Sequence, residues 1–420
     1  MKADLISRNQ NEVVIKVSIT MMASMLKTEE SIQQSLNQAG CLATEVALSR
    51  YDTEGNPIMV NNEKFTSKGQ IEKNYQTPYG EIKLPRHVYQ NSLGGKTFCP
   101  LEKDAKIIVQ STPKFAKMAS SKYASASVRK VQSDLTDNHG RYISRTYIKD
   151  ISDAVGRIAI EKEEKWNYLP PVPPDSVKVI GLGLDGTCMF MSDDGWRLTM
   201  VGTIAFYNDT SERLDTIYLA AAPEYGKSKF IGRFESEIRQ IKKHYPTAEY
   251  VGIADGAKDN WSFLSTHTDC QILDFFHASE YVTKVADIVF RDKEKRSEWL
   301  RNSCHKLKHE EKGAQELLEE FIGYRKKRIN EQKKAKLENS ITYFTNHCHI
   351  MSYDEYLKKD YPIGSGVTEA ACKVIVKQRM CNSGMKWKQM GAEAVLCLRA
   401  LNYSSKRWGQ LWDKINKYGI

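Results

Sequence analysis

Between Val177 and Leu273 the chain spells out a succession of elements that few folds accept. Val177–Met191 is a β-rich run, Asp193-Asp194-Gly195 a turn, Trp196–Tyr207 a second strand and Leu214–Ala221 a third. Three antiparallel strands should therefore follow one another directly. Lys229–Tyr245 then carries Phe230, Phe234, Ile238 and Ile241 at helical spacing, and Pro246 ends it. Tyr250–Ala254 reads as a short buried strand, Asp259–Ser265 as a brief helix and Cys270–Leu273 as a further strand.

The order β-β-β-α-β-α-β predicts an α/β fold with an RNase H-like core, a three-stranded meander joined by helical crossovers to parallel strands. His277–Lys359 is helical and charged, with basic runs such as Arg325-Lys326-Lys327-Arg328, and reads as a helical insertion in that core. Pro362-Ile363-Gly364-Ser365-Gly366 interrupts it, and a last long helix should begin near Thr368 with Ser365 as N-cap. Upstream, Pro170-Pro171-Val172-Pro173-Pro174 cannot continue a helix and marks a domain boundary.

The region before the prolines is mainly helical, with a small β element. Met21, Met25, Ile32 and Leu36 suggest an amphipathic helix over Val17–Ala39, and Ala43–Tyr51 is a second periodic run. Ile82, Leu84, Val88 and Tyr89 mark strands within Tyr79–Leu101, with a hairpin turn at Asn91–Gly95. Thr112–Lys162 is basic and helical in three pieces, broken at Asp137-Asn138-His139-Gly140, with Ser144 capping the third. Three such helices resemble a helix-turn-helix whose last helix presents Arg145, Tyr147 and Lys149 to a DNA groove. The plain alternative is a helical bundle with a solvated basic face. The resulting division is 1–60 helical, 61–110 β-rich, 111–169 DNA-binding, 175–284 first part of the core, 285–360 insertion, 361–405 last part of the core with the catalytic helix, and 406–420 tail.

With 420 residues, several domains are expected. Lys and Arg outnumber Asp and Glu by 62 − 52 = 10, which favours a polyanionic partner. The nine cysteines contain no C-x-x-C pair, which suits a reducing compartment without a zinc ribbon. No stretch approaches the length of a membrane helix and the N-terminus is polar, so a cytosolic protein with no membrane partner is expected.

Three carboxylates stand out. Asp185 lies in or at the end of the first core strand, and Asp255 at the C-terminal end of the fourth, where open α/β sheets place ligand-binding groups. Glu369 opens the final helix, which can carry it toward both. Such a cluster repels itself unless cations bind, and its oxygen donors suit Mg²⁺ or Mn²⁺; two ions about 3.5–4 Å apart serve phosphodiester chemistry. Asp274 and His277 form a D-x-x-H close enough for a carboxylate–imidazole contact, in support of the site, with Asp274 an alternative second ligand. Lys373, Lys377 and Arg379 follow Glu369 and offer a basic strip for a phosphate backbone. An aspartyl-phosphatase of haloacid-dehalogenase-like type would need its nucleophile two residues before Asp185, where Gly183 stands.

On these residues the chain resembles insertion-sequence transposases of the DDE type, most closely the ISKra-type family, from about Tyr51 to Leu401. Phe65-Thr66-Ser67-Lys68-Gly69, Tyr75–Tyr79, Arg86–Tyr89, Phe98–Leu101 and Asn138–Arg141 carry the resemblance upstream. Leu184-Asp185-Gly186-Thr187, Ala254–Ala257, Gly364–Gly366 with Glu369, and Asn382–Trp387 carry it downstream. The resemblance implies that Asp185, Asp255 and Glu369 bind two Mg²⁺ or Mn²⁺ ions. It further implies double-stranded DNA as partner, both the element's inverted-repeat ends and the target, with nicking followed by strand transfer. A homo-oligomer acting in a bacterial cytoplasm at the nucleoid is also implied. The competing class is a catalytically inactive DNA-binding protein derived from such an element.

Overall fold

The computed structural model describes residues 2–91, 93–162, 166–224 and 227–419. The architecture is mixed α/β, with three β-sheets among the described residues and many helices. The chain forms two compact units: Met1–Leu169, Met390–Asn402 and Lys406–Ile420 make one, and Pro170–Gln389 with Tyr403–Ser405 the other. No helix among the described residues is long and apolar enough to cross a membrane.

The first unit begins with an antiparallel hairpin, β1 (Lys2–Arg8) and β2 (Val13–Ser18), where the sequence suggested only polar chain and the start of a helix. Helix α1 spans Met25–Ser49 without the expected interruption, its first turn capped by the Ser24 hydroxyl, which accepts the Lys27 N–H. Its buried face is Thr28, Ser31, Ser35 and Leu48, whereas Met21, Met25 and Leu36 are exposed, so the apolar spacing did not mark the packed side. A four-stranded antiparallel meander comes next: β3 (Ile58–Val60), β4 (Glu63–Gln76), β5 (Glu81–Asn91) and β6 (Gly94–Phe98). Ile82, Leu84, Arg86 and Val88 alternate inward along β5. The expected turn at Asn91–Gly95 includes Ser92, which lies outside the described residues.

After a short α2 (Pro100–Asp104) come α3 (Pro113–Ser125), α4 (Val128–His139) and α5 (Arg145–Lys162). Gly140 closes α4 at φ +63°, a conformation that favours glycine, and the Ser144 hydroxyl accepts the Tyr147 N–H at 3.2 Å. Helix α5 is the centre of a bundle: Ile148, Ile151, Ser152, Val155, Gly156 and Ala159 are buried. A Cβ at Gly156 would strike Ala394 of the helix Gln389–Tyr403, and the helix Arg407–Tyr418 completes the unit.

The second unit holds a five-stranded sheet. Strands β7 (Val179–Met191), β8 (Gly195–Tyr207) and β9 (Arg213–Ala221) form the antiparallel meander, as their alternating and turn-bounded sequence requires. Helix α6 (Ser228–His244), β10 (Glu249–Ala254), α7 (Lys258–Leu264) and β11 (Cys270–Leu273) follow. The spatial order is β11-β10-β7-β8-β9, with β10 parallel to both β7 and β11. One face of the sheet packs Leu182, Leu184, Ile204 and Phe206 on Phe230, Phe234, Ile238 and Ile241 of α6. Burying each such side chain contributes roughly 2 kcal/mol.

The other face, with Val179, Ala205, Val251, Ile253 and Ile272, is covered by helices from the charged segment. These are α8 (Phe275–Val289), α9 (Lys293–His309), α10 (Gly313–Gly323), α11 (Glu331–His347) and α12 (Tyr353–Lys358). The expected last long helix is broken instead. Helix α13 (Gly366–Ala371) passes into a π-helical stretch, Cys372–Lys377, and one further turn, Gln378–Met380, and the chain then leaves helical geometry until Gln389. A π-turn takes more residues per turn, so it rotates the residues beyond it out of α-helical phase.

Candidate active site

The parallel register of β7 and β10 determines where two of the carboxylates meet. Glu249 pairs with Val179 and Ile253 with Gly183, so β10 ends beside the part of β7 that carries Asp185, and Asp255 follows directly after that end. β10 ends at Ala254, and Gly256 turns the chain at φ +97°. Asp255 Oδ1 accepts the Ala257 N–H at 3.1 Å, and Asp185 Oδ1 accepts the Gly186 N–H at 2.6 Å. Buried Asn260 of α7 donates to the Leu184 carbonyl at 3.1 Å and ties the segment after the Asp255 turn to β7 beside Asp185.

Glu369 arrives through a missing side chain. Gly183 leaves a space on β7 in which Thr368 of α13 and Thr203 of β8 share a hydrogen bond of 2.7 Å, and a Cβ at 183 would collide with both hydroxyls. Helix α13 thus lies directly on β7, and three residues beyond Glu369 the Cys372 thiol donates to Asp185 Oδ2 at 3.4 Å. Burial and the Asp185 charge push that thiol's pKa well up, so it stays protonated. Ser365 occupies the N-cap position, but its hydroxyl donates to Glu369 Oε1 at 3.1 Å rather than capping the helix.

Asp274 is fully buried and caps α8: Oδ1 accepts the His277 N–H at 2.7 Å and Oδ2 accepts the Ser365 N–H. It therefore ties the start of α8 to the start of α13. The expected contact between Asp274 and the imidazole is replaced by this main-chain bond. The ring points instead to Glu369, with Nε2 3.6 Å from Oε1.

Asp185 borders two neighbouring cavities. One, of about 830 Å³, is lined by Asp185, Glu369, Cys372, Lys373 and Lys377; the other, of about 390 Å³, by Asp185, Asp255, Lys227, Lys258 and Asn260. None of the three carboxylates is paired with Lys or Arg among the described residues; Glu369 meets the His277 ring and the Ser365 hydroxyl. They do not close on one point: among the described residues no three His, Cys, Asp or Glu side chains stand together closely enough to hold a metal ion.

Lys373 and Lys377 are exposed at the cleft, but Arg379 is not part of their strip. It is buried, its guanidinium 5.1 Å from the Trp387 ring centroid, two residues on from Lys377 and so on the other side of the helix from the two lysines. In the first unit Arg145 is exposed and donates to Gln132 at 3.0 Å, whereas Tyr147 is half-buried, its hydroxyl bonded to Ser111 and the Val109 carbonyl. Lys149 is exposed and paired with Asp153. Of the expected recognition residues, Tyr147 is thus committed to packing and Lys149 to an ion pair.

Tyr343 carries no sequence signal that marks it for this site. Its hydroxyl donates to the Asp255 carbonyl at 2.9 Å, and its ring stacks on Tyr281 at 3.8 Å between centroids, so the inserted helices fasten the Asp255 turn. The D-x-x-H spacing did flag Asp274 and His277, though not their partners. No family model matches this chain, and a comparison with curated proteins also finds no match.

Proposed function

We propose that this chain is a DDE-type transposase with an RNase H-like core, which nicks DNA at the ends of its element and transfers the strand. The observation that carries the reading is the position of Asp185, common to a cavity shared with Glu369 and a cavity shared with Asp255. The strand order β11-β10-β7-β8-β9, with Asp185 within β7 and Asp255 just past the end of the adjacent β10, supports the core assignment.

The donor set fits hard divalent cations: all oxygen, acidic and without a Lys or Arg partner among the described residues. Asp185, Asp255 and Glu369 would hold magnesium or manganese. Such ions, when bound, activate an attacking oxygen and stabilise the leaving one. The chain's own part is placement. Asp274 and Ser365 fix the start of α13, Ser365 and His277 orient Glu369, Tyr343 fixes the Asp255 turn, and Asn260 holds β7 beside Asp185. Lys373 and Lys377 on one side, and Lys227 and Lys258 on the other, offer positive charge to the phosphates beside the scissile bond.

The test is a nicking assay on a supercoiled plasmid carrying the DNA that flanks this chain's coding sequence. Relaxation that requires Mg²⁺ or Mn²⁺ and is lost in Glu369→Gln supports the reading. Nicking that persists undiminished in that variant sinks it.

A further inference from the structure

The β7–β8 hairpin outruns its sheet. Strand β10 pairs with β7 no further than Ile253↔Gly183, and β9 pairs with β8 no nearer the turn than Met200↔Ala221. Beyond those limits Thr187↔Thr199, Cys188↔Leu198, Met189↔Arg197, Phe190↔Trp196 and Met191↔Gly195 continue as a two-stranded arm. Two strands alone are marginal in water, and this arm is held on one face only. Thr187, Met189, Met191 and Thr199 are buried there, and Trp387 bridges to Met191 on the arm's edge.

The opposite face is open and apolar. Trp196 is 66 % exposed and Leu198 43 %, and Phe190 meets the Trp196 ring edge-on at 5.7 Å. Leu198 also lines the cavity that Asp185 and Asp255 share, so this face reaches the wall of that cavity, while the Asp185 side chain itself stands on the sheet's other face, toward Cys372. Positive charge flanks it: Lys227 and Lys258 at the cleft end, and Lys386 over the Phe190 ring, Nζ 5.9 Å from its centroid. At the tip itself stand Asp193 and Asp194, both exposed, which repel phosphate. A ligand here must present its anionic backbone to the lysines and an uncharged flat group to Trp196.

We propose that Trp196 is a stacking platform for an unpaired nucleobase of the DNA strand held at the acidic cleft, an inference that rests on the function proposed above. Five residues of strand separate Asp185 from Phe190, about 16 Å at about 3.3 Å each. That distance corresponds to about five nucleotides at about 3.4 Å along one strand. The contact is sequence-tolerant, because every base has a flat face.

The test uses the full chain and two fluorescent 20-mers of equal charge, oligo-dT and a wholly abasic strand, at low salt. The wild type is expected to bind oligo-dT on the order of tenfold more tightly than the abasic strand. Trp196→Ala should bring the two affinities together, and Trp196→Phe should keep most of the difference. A dT-to-abasic ratio unchanged in Trp196→Ala overturns the platform while leaving the transposase reading intact. If Trp196→Ala instead alters the sedimentation of the protein without changing that ratio, the face joins copies of the chain, and the proposal also fails. A wild type that binds neither strand overturns both readings together.

Discussion

The hydroxyls of Thr203 and Thr368 meet at 2.7 Å in the space that Gly183 leaves on the sheet, and this contact seats α13 beside Asp185. A single absent side chain thus sets the distance between a strand-borne and a helix-borne carboxylate. The same glycine occupies the position a haloacid-dehalogenase-like enzyme needs for its nucleophile, and no side chain fits there without displacing α13.

Gly183→Ala should therefore lower stability by about 1–3 kcal/mol, the usual cost of overpacking, seen as a reduced urea midpoint. Metal-dependent nicking should fall on the order of 10²-fold, because a shift of about 1 Å at the site suffices for that. Gly181→Ala is the control. It lies two residues back on the same face, and the nearest atom a Cβ there would meet is the Tyr207 ring edge at 3.2 Å, so it should cost less on both counts.

Asp274→Asn tests the assignment of Asp274 as a tie between α8 and α13 rather than a cation ligand. The amide would place an N–H against the N–H of either His277 or Ser365 in a fully buried setting. A loss of about 2–3 kcal/mol is expected in denaturant unfolding with or without divalent cation. A loss that appears only when the cation is present would make Asp274 a ligand instead.

Much of this was legible in the sequence, for identifiable physical reasons. Strands β7 to β11 and helix α6 were readable because alternation, turn residues and 3.6-residue spacing each agreed with the burial that formed. The N-terminal hairpin was not. Val13–Ser18 runs into methionines whose spacing mimics a helix face, although α1 packs through Thr28, Ser31 and Ser35. Strand β4 fell within the β-rich 61–110 but was not delimited, because it is polar along most of its length and little of it is buried. Arg379 was misplaced because it was grouped with the lysines by proximity in sequence, although two residues beyond Lys377 is about 200° around a helix. The placement of Asp185 on β7, Asp255 just past β10 and Glu369 in the first turn of α13 was legible, since strands and a helix start are what periodicity reads best, but their separation was not.

The first unit should be acid-sensitive through Glu102. Burial raises its pKa, but hydrogen bonds from Lys73 and Tyr75 and the Lys73 and Arg86 charges outweigh that and hold the carboxyl below its ordinary 4.5. A lowered carboxyl stabilises the fold at pH values above that ordinary value, and the stabilisation is lost as pH falls through the lowered one. Unfolding midpoints measured from pH 6 down to pH 3 should therefore drop more steeply in the wild type than in Glu102→Gln. That variant should itself be about 2 kcal/mol less stable at pH 6.

The cation site is tested most directly by Mn²⁺ titration of the DNA-free protein, followed by electron paramagnetic resonance of the free ion. Asp185 belongs to both cavities, so the wild type should bind manganese and Asp185→Asn should weaken binding on the order of 10–100-fold. Asp193→Asn, a carboxylate at the hairpin tip, should leave binding unchanged. Manganese bound equally well by wild type and Asp185→Asn would mean that these carboxylates are not a cation site, and the proposed cleavage chemistry would have no foundation.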